Sequence, residues 1–260
     1  MNPEWRNRYE VAVEATRRAG QLALRHFDGP FTVETKADQS PVTVADREAE
    51  TLLRQTLHAA FPTDGFLGEE YGDAPGTSGY RWVIDPIDGT RSFVRGIPIW
   101  GTLVGLEYRG EQIAGVVDVP ALGQTYRALR GDGAFRNDRP IKVSEVAQLS
   151  DALIFYTSLS WFLKEGRANA FLDLARGTDR QRGYGDFYGF VLVAQGAGEV
   201  MVDYGVHAWD VAALRPIIEE AGGRFSNWDG IATIHSRHAV VSNGKLHDQV
   251  LAILKPHLED

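Results

Sequence analysis

The chain has 260 residues, of which 43% are hydrophobic and 24% are charged. This composition excludes an intrinsically disordered chain, and the length suffices for one large domain or two closely packed halves. The formal net charge of -8 disfavours binding to nucleic acid or to an anionic membrane surface. The absence of cysteine excludes disulfides and thiolate chemistry. Because the N-terminus also lacks a signal-peptide pattern, we expect a cytoplasmic protein.

The N-terminal part is predicted to contain two amphipathic helices. Asn2 and Pro3 have the pattern of an N-cap followed by proline at the first helical position. Thr43 and Asp46 resemble a capping box that opens the second helix, although the helix dipole alone also favours an aspartate in the first turn. Between the helices, the pattern predicts a short strand and an exposed loop, Phe31–Thr35 and Lys36–Pro41.

The middle of the chain favours β structure. A short strand is predicted at Phe66–Leu67 and a buried, β-branched strand at Trp82–Ile84. The polar, glycine-rich segment Asp73–Gly79 is predicted to be a surface loop. Closely spaced strands joined by short turns then predict an antiparallel meander, with strands at Ile99–Tyr108, Gln112–Val119 and Thr125–Leu129.

Helices and strands alternate in the second half. Strands are predicted at Leu153–Tyr156, Gln181–Tyr184, Val200–Tyr204 and Val240–Ser242, and helices at Trp161–Ala175, Phe187–Gln195, Trp209–Ala221 and from Leu246 onward. We therefore expect layers of helices around mixed sheets. The halves are divided at 1–148, which carries the candidate metal and phosphate motifs, and 149–260, which carries a Trp-Asp pair and candidate substrate residues.

Two aspartates follow the apolar strand where turn residues begin. Asp85 and Asp88 lie on either side of Pro86, which stiffens the chain, so both carboxylates can converge on one point. Two such anions repel unless a positive charge lies between them, and oxygen ligands suit Mg²⁺ better than Zn²⁺. Gly89 and Thr90 then leave backbone N–H groups at a predicted helix start, where phosphate binds readily. The alternative is a tight turn with solvated acids.

Two further acidic segments follow predicted strands. Glu69 and Glu70 come a short step before Asp85, which is what a site with several metal ions and oxygen ligands requires, although adjacent acids after a strand are commonly solvated. Asp210 lies in the first turn of a helix. It either complements the helix dipole or is brought to the metal ions by folding.

These segments resemble the signature motifs of the inositol monophosphatase family, the Mg²⁺-dependent, lithium-sensitive phosphatases of sugar and polyol phosphates. The match in order and spacing covers nearly the whole chain and includes Gly68–Glu70, Asp85–Thr90, Trp209–Asp210, and Lys36 with Pro41–Asp46. The resemblance implies an α/β (α+β) fold, a layered α/β/α/β/α sandwich of the inositol monophosphatase and fructose-1,6-bisphosphatase type. It also implies a homodimer.

The resemblance assigns roles to individual residues. It implies about two or three Mg²⁺ ions, with Li⁺ as an inhibitor, held by the side chains of Glu69, Asp85, Asp88 and Asp210 and by the backbone carbonyl of Ile87. Gly89 and Thr90 match the family's phosphate cradle. Asp46 and Thr90 match a hydrogen-bonded pair that, with Glu69, orients the attacking water. Because phosphoryl transfer depends mainly on positioning and charge neutralisation, no covalent nucleophile is needed.

Two stretches, Phe93–Trp100 and Arg182–Gly189, resemble the branch that hydrolyses histidinol phosphate more than the inositol branch. Asp186 lies where inositol enzymes typically carry a small neutral residue, and a carboxylate there would pair with the amino group or imidazole of histidinol phosphate. Alternatively, Asp186 caps the helix that follows. The predicted substrate contacts are Asp88, Gly89, Thr90, Arg182, Gly185, Asp186, Asp203 and Asp210, with Asp203 replacing a longer acid of the inositol enzymes.

The resemblance therefore predicts a Mg²⁺-dependent phosphomonoesterase that hydrolyses L-histidinol phosphate in histidine biosynthesis. Alternative substrates are inositol 1-phosphate, or a broad set that includes fructose 1,6-bisphosphate and nucleotide 3′-phosphates. An alternative of another class is a catalytically idle homologue that binds metal and phosphate as a regulator. Glu69 and Thr90 favour the enzyme, because phosphate binding alone would need neither residue.

Overall fold

The protein contains both helices and strands, and the computed structural model describes residues 2–27, 29, 33–35 and 41–258. The helices are α1 (Pro3–Phe27), α2 (Val44–Ala60), α3 (Thr90–Phe93), α4 (Leu159–Lys164), α5 (Ala168–Gly177), α6 (Asp186–Ala194), α7 (Ala208–Val211), α8 (Leu214–Glu220) and α9 (His247–Leu254). The predicted loop at 36–40 and the first two residues of the strand predicted at 31–35 lie outside the described residues. No helix within these ranges combines the length and apolar character needed to cross a membrane.

The strands form three sheets in the described part of the chain. A small ribbon pairs β1 (Val33–Thr35) with β2 (Pro41–Thr43). A large sheet contains β3 (Gly65–Gly68), β4 (Gly72–Ala74), β5 (Tyr80–Asp88), β6 (Gly101–Tyr108), β7 (Glu111–Val119), β8 (Gln124–Leu129), β9 (Gly133–Arg136) and β10 (Arg139–Ile141), in the order β10-β9-β8-β7-β6-β5-β3-β4. The third contains β11 (Leu153–Tyr156), β12 (Arg180–Arg182), β13 (Val200–Tyr204), β14 (Arg224–Ser226) and β15 (His238–Ser242), in the order β12-β11-β13-β15-β14.

These elements stack in five layers. α1 and α2 cover one face of the large sheet, where Leu53 and Leu57 belong to the same buried cluster as Ile84. α6, α7 and α8 fill the space between the large sheet and the five-stranded sheet. α4, α5 and α9 cover the outer face of the five-stranded sheet, where Leu174 and Val250 share a cluster with strand residues. The α/β/α/β/α sandwich expected from the sequence is therefore confirmed.

Side-chain alternation along β5 explains how one strand serves two layers. Trp82 and Ile84 belong to the core under α1 and α2, whereas Val83 belongs to the core under α6 to α8. Because successive side chains of a strand point to opposite faces, a sheet covered on both faces needs a continuous apolar run. On neighbouring β6, a Cβ at Gly105 would lie 2.9 Å from atoms of Ala212, so glycine lets the helical layer approach the sheet closely.

The predicted antiparallel meander is confirmed in β6, β7 and β8. Arg109 and Gly110 form its first turn with φ angles of 52° and 86°. Positive φ at both central residues is typical of the type I′ turn, whose twist matches the flanking strands. β9 and β10 extend the same sheet but were not predicted from the sequence, because each is only three or four residues long.

Three predicted segments need correction. The helix predicted at Trp161–Ala175 is divided into α4 and α5 near Gly166, whose φ of 70° ends the first helix. The helix predicted at Trp209–Ala221 is likewise divided, into α7 and α8. The segment Asp73–Gly79, predicted as a loop, begins within β4, which pairs with β3.

Candidate active site

The aspartate pair lies inside β5 rather than in a turn after it. The strand was predicted to end at Asp85 and Pro86, but β5 continues to Asp88 with an irregular register against β6. Proline cannot donate a ladder hydrogen bond, so within a sheet it is tolerated at such a bulge. Thr102 Oγ1 donates to the Pro86 carbonyl at 2.9 Å, and the Ile87 amide donates to Asp85 Oδ1 at 3.1 Å. These bonds hold the bulge that carries both aspartates.

A short helix begins directly after the bulge, as predicted. Gly89 has a φ of 86°, a conformation that favours glycine, and a Cβ there would lie 3.0 Å from the Ile99 carbonyl oxygen. Both the backbone angle and the space therefore require glycine. Thr90 is the first residue of α3, and its Oγ1 donates to the Ile87 carbonyl at 2.9 Å. The phosphate contacts assigned to Gly89 and Thr90 stay predictions.

Glu69 lies at the same edge of the large sheet. It follows β3, which runs parallel to β5, and its amide donates to the Ile84 carbonyl at 3.2 Å. The carboxyl ends of parallel neighbouring strands meet at one edge of a sheet, which is where α/β proteins commonly build their sites. The fold therefore brings Glu69, which follows β3, toward Asp85, which lies in β5.

A buried carboxylate on α2 holds the segment that follows β3. Glu50 Oε2 accepts the Glu70 amide at 2.8 Å, and Oε1 accepts the Tyr71 amide at 3.3 Å and pairs with Arg54 Nε at 2.8 Å. Glu50 has no exposed surface. A Cβ at Gly68 would collide with this carboxylate, so the glycine before the two glutamates is required by the close approach of Glu50. The sequence analysis did not identify Glu50.

Asp210 and Asp46 each lie in the first turn of a helix. Asp210 Oδ2, in α7, accepts the His207 amide at 2.8 Å. Asp46 Oδ2, in α2, accepts the amide and the hydroxyl of Thr43 at 2.8 and 2.7 Å, and the Ala45 amide donates to Thr43 Oγ1. The predicted capping box is therefore confirmed. The hydrogen bond expected between Asp46 and Thr90 stays a prediction.

Burial and mutual repulsion raise the pKa values of the carboxyl groups at this edge. The pKa of Asp85 lies well above its usual value, first because of burial and then because Glu69, Asp88 and Asp210 are nearby. The pKa of Asp88 is raised by burial and by the charges of Asp186 and Asp210. Burial and neighbouring acids raise the pKa of Asp210 to about 8. Folding thus brings together the four side chains expected to bind metal.

The donor atoms of this cluster fit a hard cation. Carboxylates that raise one another's pKa values are relieved by a cation between them, and all the candidate ligands, including the Ile87 carbonyl, present oxygen. Within the described ranges, no group of three or more His, Cys, Asp or Glu side chains is already arranged to hold one ion. Mg²⁺ commonly uses one or two carboxylates and takes its other ligands from water and substrate phosphate. The residues of this cluster therefore fit Mg²⁺ ions that are each bound by a few protein oxygens and completed by water and substrate phosphate.

A cavity of about 100 Å³ opens beside the carboxylate cluster. It is lined by Asp88, Thr157, Trp161, Asp186, Phe187, Phe190, Asp203, Tyr204, Gly205, Val206 and Asp210. The predicted substrate residues Asp186 and Asp203 therefore lie next to the predicted metal ligands. Arg182 is exposed on β12, its Nη1 donates to the Gln181 carbonyl at 2.8 Å, and it is not among the described residues that line the cavity.

Asp186 has an unusual backbone conformation at the start of α6. Its φ is 52°, which costs an aspartate about 1 kcal/mol. Gly185 precedes the helix, and no side chain caps this end, so the alternative role of Asp186 as a cap is not found. Its carboxylate accepts no hydrogen bond from the described residues. Burial raises its pKa to about 6, while the charge of Arg91 opposes the shift. Strained residues of this kind often serve a site.

Thr157 joins the two substrate-side aspartates and was not identified from the sequence. Its Oγ1 donates to Asp203 Oδ2 at 2.6 Å and accepts the Asp186 amide at 3.1 Å. Asp203 Oδ1 accepts the Tyr204 amide at 2.8 Å, and burial raises the pKa of Asp203 to about 7. Trp161, predicted in a helix without a role in the site, also lines the cavity. No local motif marks these residues, because their partners lie far along the chain.

Comparison with known proteins decides the family. A model of the inositol monophosphatase family matches residues 4–259. The chain belongs to the inositol monophosphatase family. The histidinol-phosphatase of Chlorobaculum parvum is 43% identical over 90% of each chain, and that of Mycobacterium tuberculosis is 44% identical over 94% of this chain and 96% of the relative. The structure of the IMPase of Thermotoga maritima matches with a TM-score of 0.87 and 30% identity, over 97% of this chain and 98% of the other.

The family predicted from the sequence motifs is therefore confirmed, and with it the predicted fold type and the predicted class of activity. The chain is a phosphoric monoester hydrolase, and its family acts on small phosphate esters and is generally metal-dependent. The identity and number of the metal ions, inhibition by Li⁺, the residue roles, the division into halves, the homodimer and the cytoplasmic location stay predictions.

Proposed function

We propose that this chain hydrolyses L-histidinol phosphate to L-histidinol and phosphate, with Mg²⁺, as a step of histidine biosynthesis. Relatives that carry the name histidinol-phosphatase are similar over nearly the whole chain. Within the site, the proposal is supported chiefly by the position of Asp186. The carboxylate of Asp186, which accepts no hydrogen bond from the described residues, lines the cavity next to Asp88 and Asp210, so a substrate whose phosphate lies at those acids would bring a cationic amino group to Asp186.

The charge of the cavity supports a cationic substrate body. Among the residues that the structure describes, those that line the cavity and can carry a charge are carboxylic acids: Asp88, Asp186, Asp203 and Asp210. An amino group that pairs with Asp186 gains a charge-assisted hydrogen bond, whereas a neutral polyol gains only ordinary hydrogen bonds there. Selectivity would therefore arise because a neutral ester offers the Asp186 carboxylate no opposite charge.

The residues divide the work of hydrolysis. Glu69, Asp85, Asp88, Asp210 and the Ile87 carbonyl would hold Mg²⁺, which when bound supplies Lewis acidity to the attacking water and positive charge to the phosphoryl oxygens. The backbone at the start of α3 would hold the phosphate. Glu69, with the Asp46 and Thr90 side chains, would orient the water and take its proton. Asp46, Asp85 and Asp88 are buried, and the low polarity around buried groups strengthens their electrostatic interactions.

The experiment is phosphate release by the purified chain with Mg²⁺ from L-histidinol phosphate, D-myo-inositol 1-phosphate and fructose 1,6-bisphosphate, compared as kcat/KM. Asp85→Asn serves as the blank. We expect the histidinol ester to be preferred, and Asp186→Asn to lower kcat/KM for that ester by about tenfold or more. Asparagine is chosen because it tolerates the positive φ of this position. Asp138→Asn, at a side chain that is 98% exposed, serves as the matched control.

Other outcomes separate the alternatives. Equal or better turnover of the inositol ester would favour an inositol monophosphatase, as in the structurally similar IMPase. Turnover of all three esters would favour a broad phosphatase. No turnover of any ester, by a folded protein that still binds Mg²⁺, would favour the idle regulatory homologue. Unchanged turnover by Glu69→Gln would contradict the role given to Glu69.

We also propose that the chain forms a homodimer. Leu159, Leu163 and Leu172 on α4 and α5 are exposed apolar residues, with Leu163 exposed to 60%. α4 and α5 are in contact with each other, and exposed apolar side chains on adjoining helices favour association. Light scattering coupled to gel filtration would give twice the chain mass of 28.7 kDa if the proposal holds, and a single chain mass across micromolar concentrations would contradict it.

A further inference from the structure

Thr157 lines the cavity directly after β11, next to the start of α6. Its hydroxyl has one proton and spare lone pairs. The proton goes to Asp203 Oδ2 at 2.6 Å, and a lone pair accepts the Asp186 amide at 3.1 Å. One hydroxyl thus connects a side chain of β13 with the backbone of α6, and both connected residues carry a carboxylate into the cavity.

The backbone before α6 packs closely against Thr157. A Cβ at Gly185 would collide with Thr157, so glycine lets the chain before α6 lie directly against the threonine. The next residue, Asp186, then adopts its φ of 52°. An aspartate holds such a conformation only where its surroundings compensate the cost. The hydrogen bond from its amide to Thr157 is one such compensation.

Asp203 is held from both sides as well. Its Oδ1 accepts the Tyr204 amide at 2.8 Å, and its Oδ2 receives the Thr157 hydroxyl. Each carboxylate oxygen has further lone pairs, so these bonds orient the group without saturating it. Removal of the hydroxyl would leave the Asp186 amide and Oδ2 of Asp203 without these partners, so that only the Tyr204 amide would still orient the Asp203 carboxylate.

We propose that Thr157 is a positioning residue for substrate selectivity, whose hydroxyl sets the separation of Asp186 and Asp203 so that the two carboxylates together bind the amino group of a cationic phosphate ester. The proposal rests on the proposed function for its substrate class. It assigns Thr157 no contact with the phosphate or with the attacking water. Its effect is therefore on the choice between esters and on KM, and not on the chemical step.

The test compares Thr157→Val, which removes the hydroxyl and keeps the shape, with Thr157→Ser, which keeps the hydroxyl. Steady-state constants are measured with L-histidinol phosphate and with neutral D-myo-inositol 1-phosphate. We expect the valine variant to lower the ratio of kcat/KM for the cationic ester over the neutral ester by about tenfold, mainly through KM, as loss of hydrogen bonds to charged groups does. The serine variant should restore the ratio to within about twofold to threefold.

A matched control makes the same change at a remote buried threonine. Thr16 in α1 has no exposed surface, and its hydroxyl donates to the Ala12 carbonyl at 2.7 Å. Thr16→Val should leave the ratio at the wild-type value. An equal fall for both esters in Thr157→Val, or a failure of serine to restore the ratio, would overturn the proposal.

Calorimetry separates this proposal from the proposed function. Calorimetry with L-histidinol, which carries the amine but no phosphate, should show about tenfold weaker binding to Thr157→Val than to wild type, whatever ester the wild type prefers. A wild type that prefers the neutral ester contradicts the proposed function, and equal L-histidinol affinities contradict the role of Thr157. If the valine variant does not fold, a crystal structure of wild type with L-histidinol decides: an amine away from Asp186 or Asp203 overturns the proposal.

Discussion

Glu50 and Glu70 are joined by a hydrogen bond of 2.8 Å from the Glu70 amide to the buried Glu50 carboxylate. Glu50 lies on α2 and Glu70 follows the candidate catalytic Glu69, so one helix fixes the chain that presents Glu69 to the site. Arg54 supplies the positive charge that makes the buried carboxylate tolerable, with Nε 2.8 Å from Oε1. The position of Glu69 thus depends on a carboxylate of α2 whose hydrogen bonds go to the backbone of the next two residues and to Arg54.

Glu50→Gln should therefore impair catalysis while the fold remains. The amide keeps the size of the side chain but replaces one acceptor by a donor, which faces either a backbone N–H or Arg54. We expect kcat to fall by about tenfold to a hundredfold, because small displacements of catalytic groups have effects of this size. The measurement is kcat and KM with the preferred ester, together with the melting temperature.

The matched control for this prediction is Glu48→Gln on the same helix. Glu48 is about half exposed and pairs with His26 Nε2 at 2.9 Å on the surface, so its loss should change kcat by less than about twofold. A folded Glu50→Gln protein with wild-type kcat would show that Glu50 does not position Glu69.

A second prediction concerns metal and stability at Asp85. In EDTA at pH 8, Asp85→Asn should melt no lower than wild type, because the change removes one of several buried, mutually repelling carboxylates and keeps an acceptor for the Ile87 amide. With saturating Mg²⁺, the wild type should gain about 5 °C or more, since a ligand at 100 times its Kd adds about 2.7 kcal/mol.

The variant should lose most of this gain from Mg²⁺, whereas Asp138→Asn, an exposed aspartate far from the cluster, should keep it. The readout is the melting temperature and does not require turnover. A Mg²⁺-dependent rise in Asp85→Asn as large as that of the wild type would argue against Asp85 as a metal ligand.

The sequence predicted those features that depend on local pattern. Turn chemistry and alternation placed the meander and most strands. The motif residues Glu69, Asp88 and Asp210 lie near Asp85, whereas the metal-binding roles given to them stay predictions. The continuation of β5 through Pro86 was not foreseen, because proline normally ends a central strand and a bulge depends on the neighbouring strand.

The residues that the sequence analysis missed act over long distances in the chain. Thr157 bonds to Asp203, 46 residues away, and Glu50 bonds to Glu70, 20 residues away. Neither residue has a distinctive local pattern, since a threonine after a strand and a glutamate in an amphipathic helix are both ordinary. Only the packing of β11 against α6, and of α2 against the end of β3, shows what these side chains do.

A third prediction concerns acid stability at His247. This histidine has no exposed surface, and its Nε2 and Nδ1 lie 2.8 and 3.0 Å from the hydroxyls of Ser226 and Ser242. Burial lowers its pKa to about 4. The unfolded chain binds the proton near pH 6.5, so stability is full above that value and is lost as pH falls toward 4, by at most about 3 kcal/mol.

The measurement is the free energy of unfolding by urea at pH 7.0, 5.5 and 4.5. Wild type should lose more stability over this range than His247→Gln, which has no proton to take up although it is less stable at pH 7.0. His58→Gln, at an exposed position of α2, should retain the wild-type slope. Equal slopes for wild type and His247→Gln would refute the assignment.

The last prediction concerns Asp118 on β7. Here the stability of the fold decreases as pH rises, opposite to the effect at His247. Thr125 Oγ1 donates to Asp118 Oδ1 at 2.8 Å, but Oδ2 is buried and has no hydrogen-bond partner among the described residues. Burial raises the pKa of Asp118 to about 6, although Thr125 and the charge of Arg17 oppose the shift. The folded state therefore holds a proton that the unfolded chain has released above about pH 4.

Stability contributed at this site is full below pH 4 and is lost as pH rises through 6, by at most about 3 kcal/mol. Asp118→Asn stays neutral, so its stability relative to wild type should improve by about 2 to 3 kcal/mol between pH 4.5 and 7.5, whatever the cost of the amide itself. The exposed Asp138→Asn control should change by less than about 0.5 kcal/mol over the same range. A constant difference between Asp118→Asn and wild type, measured by urea unfolding, would mean that Asp118 is charged at both pH values and that a group outside the carboxyl compensates its burial.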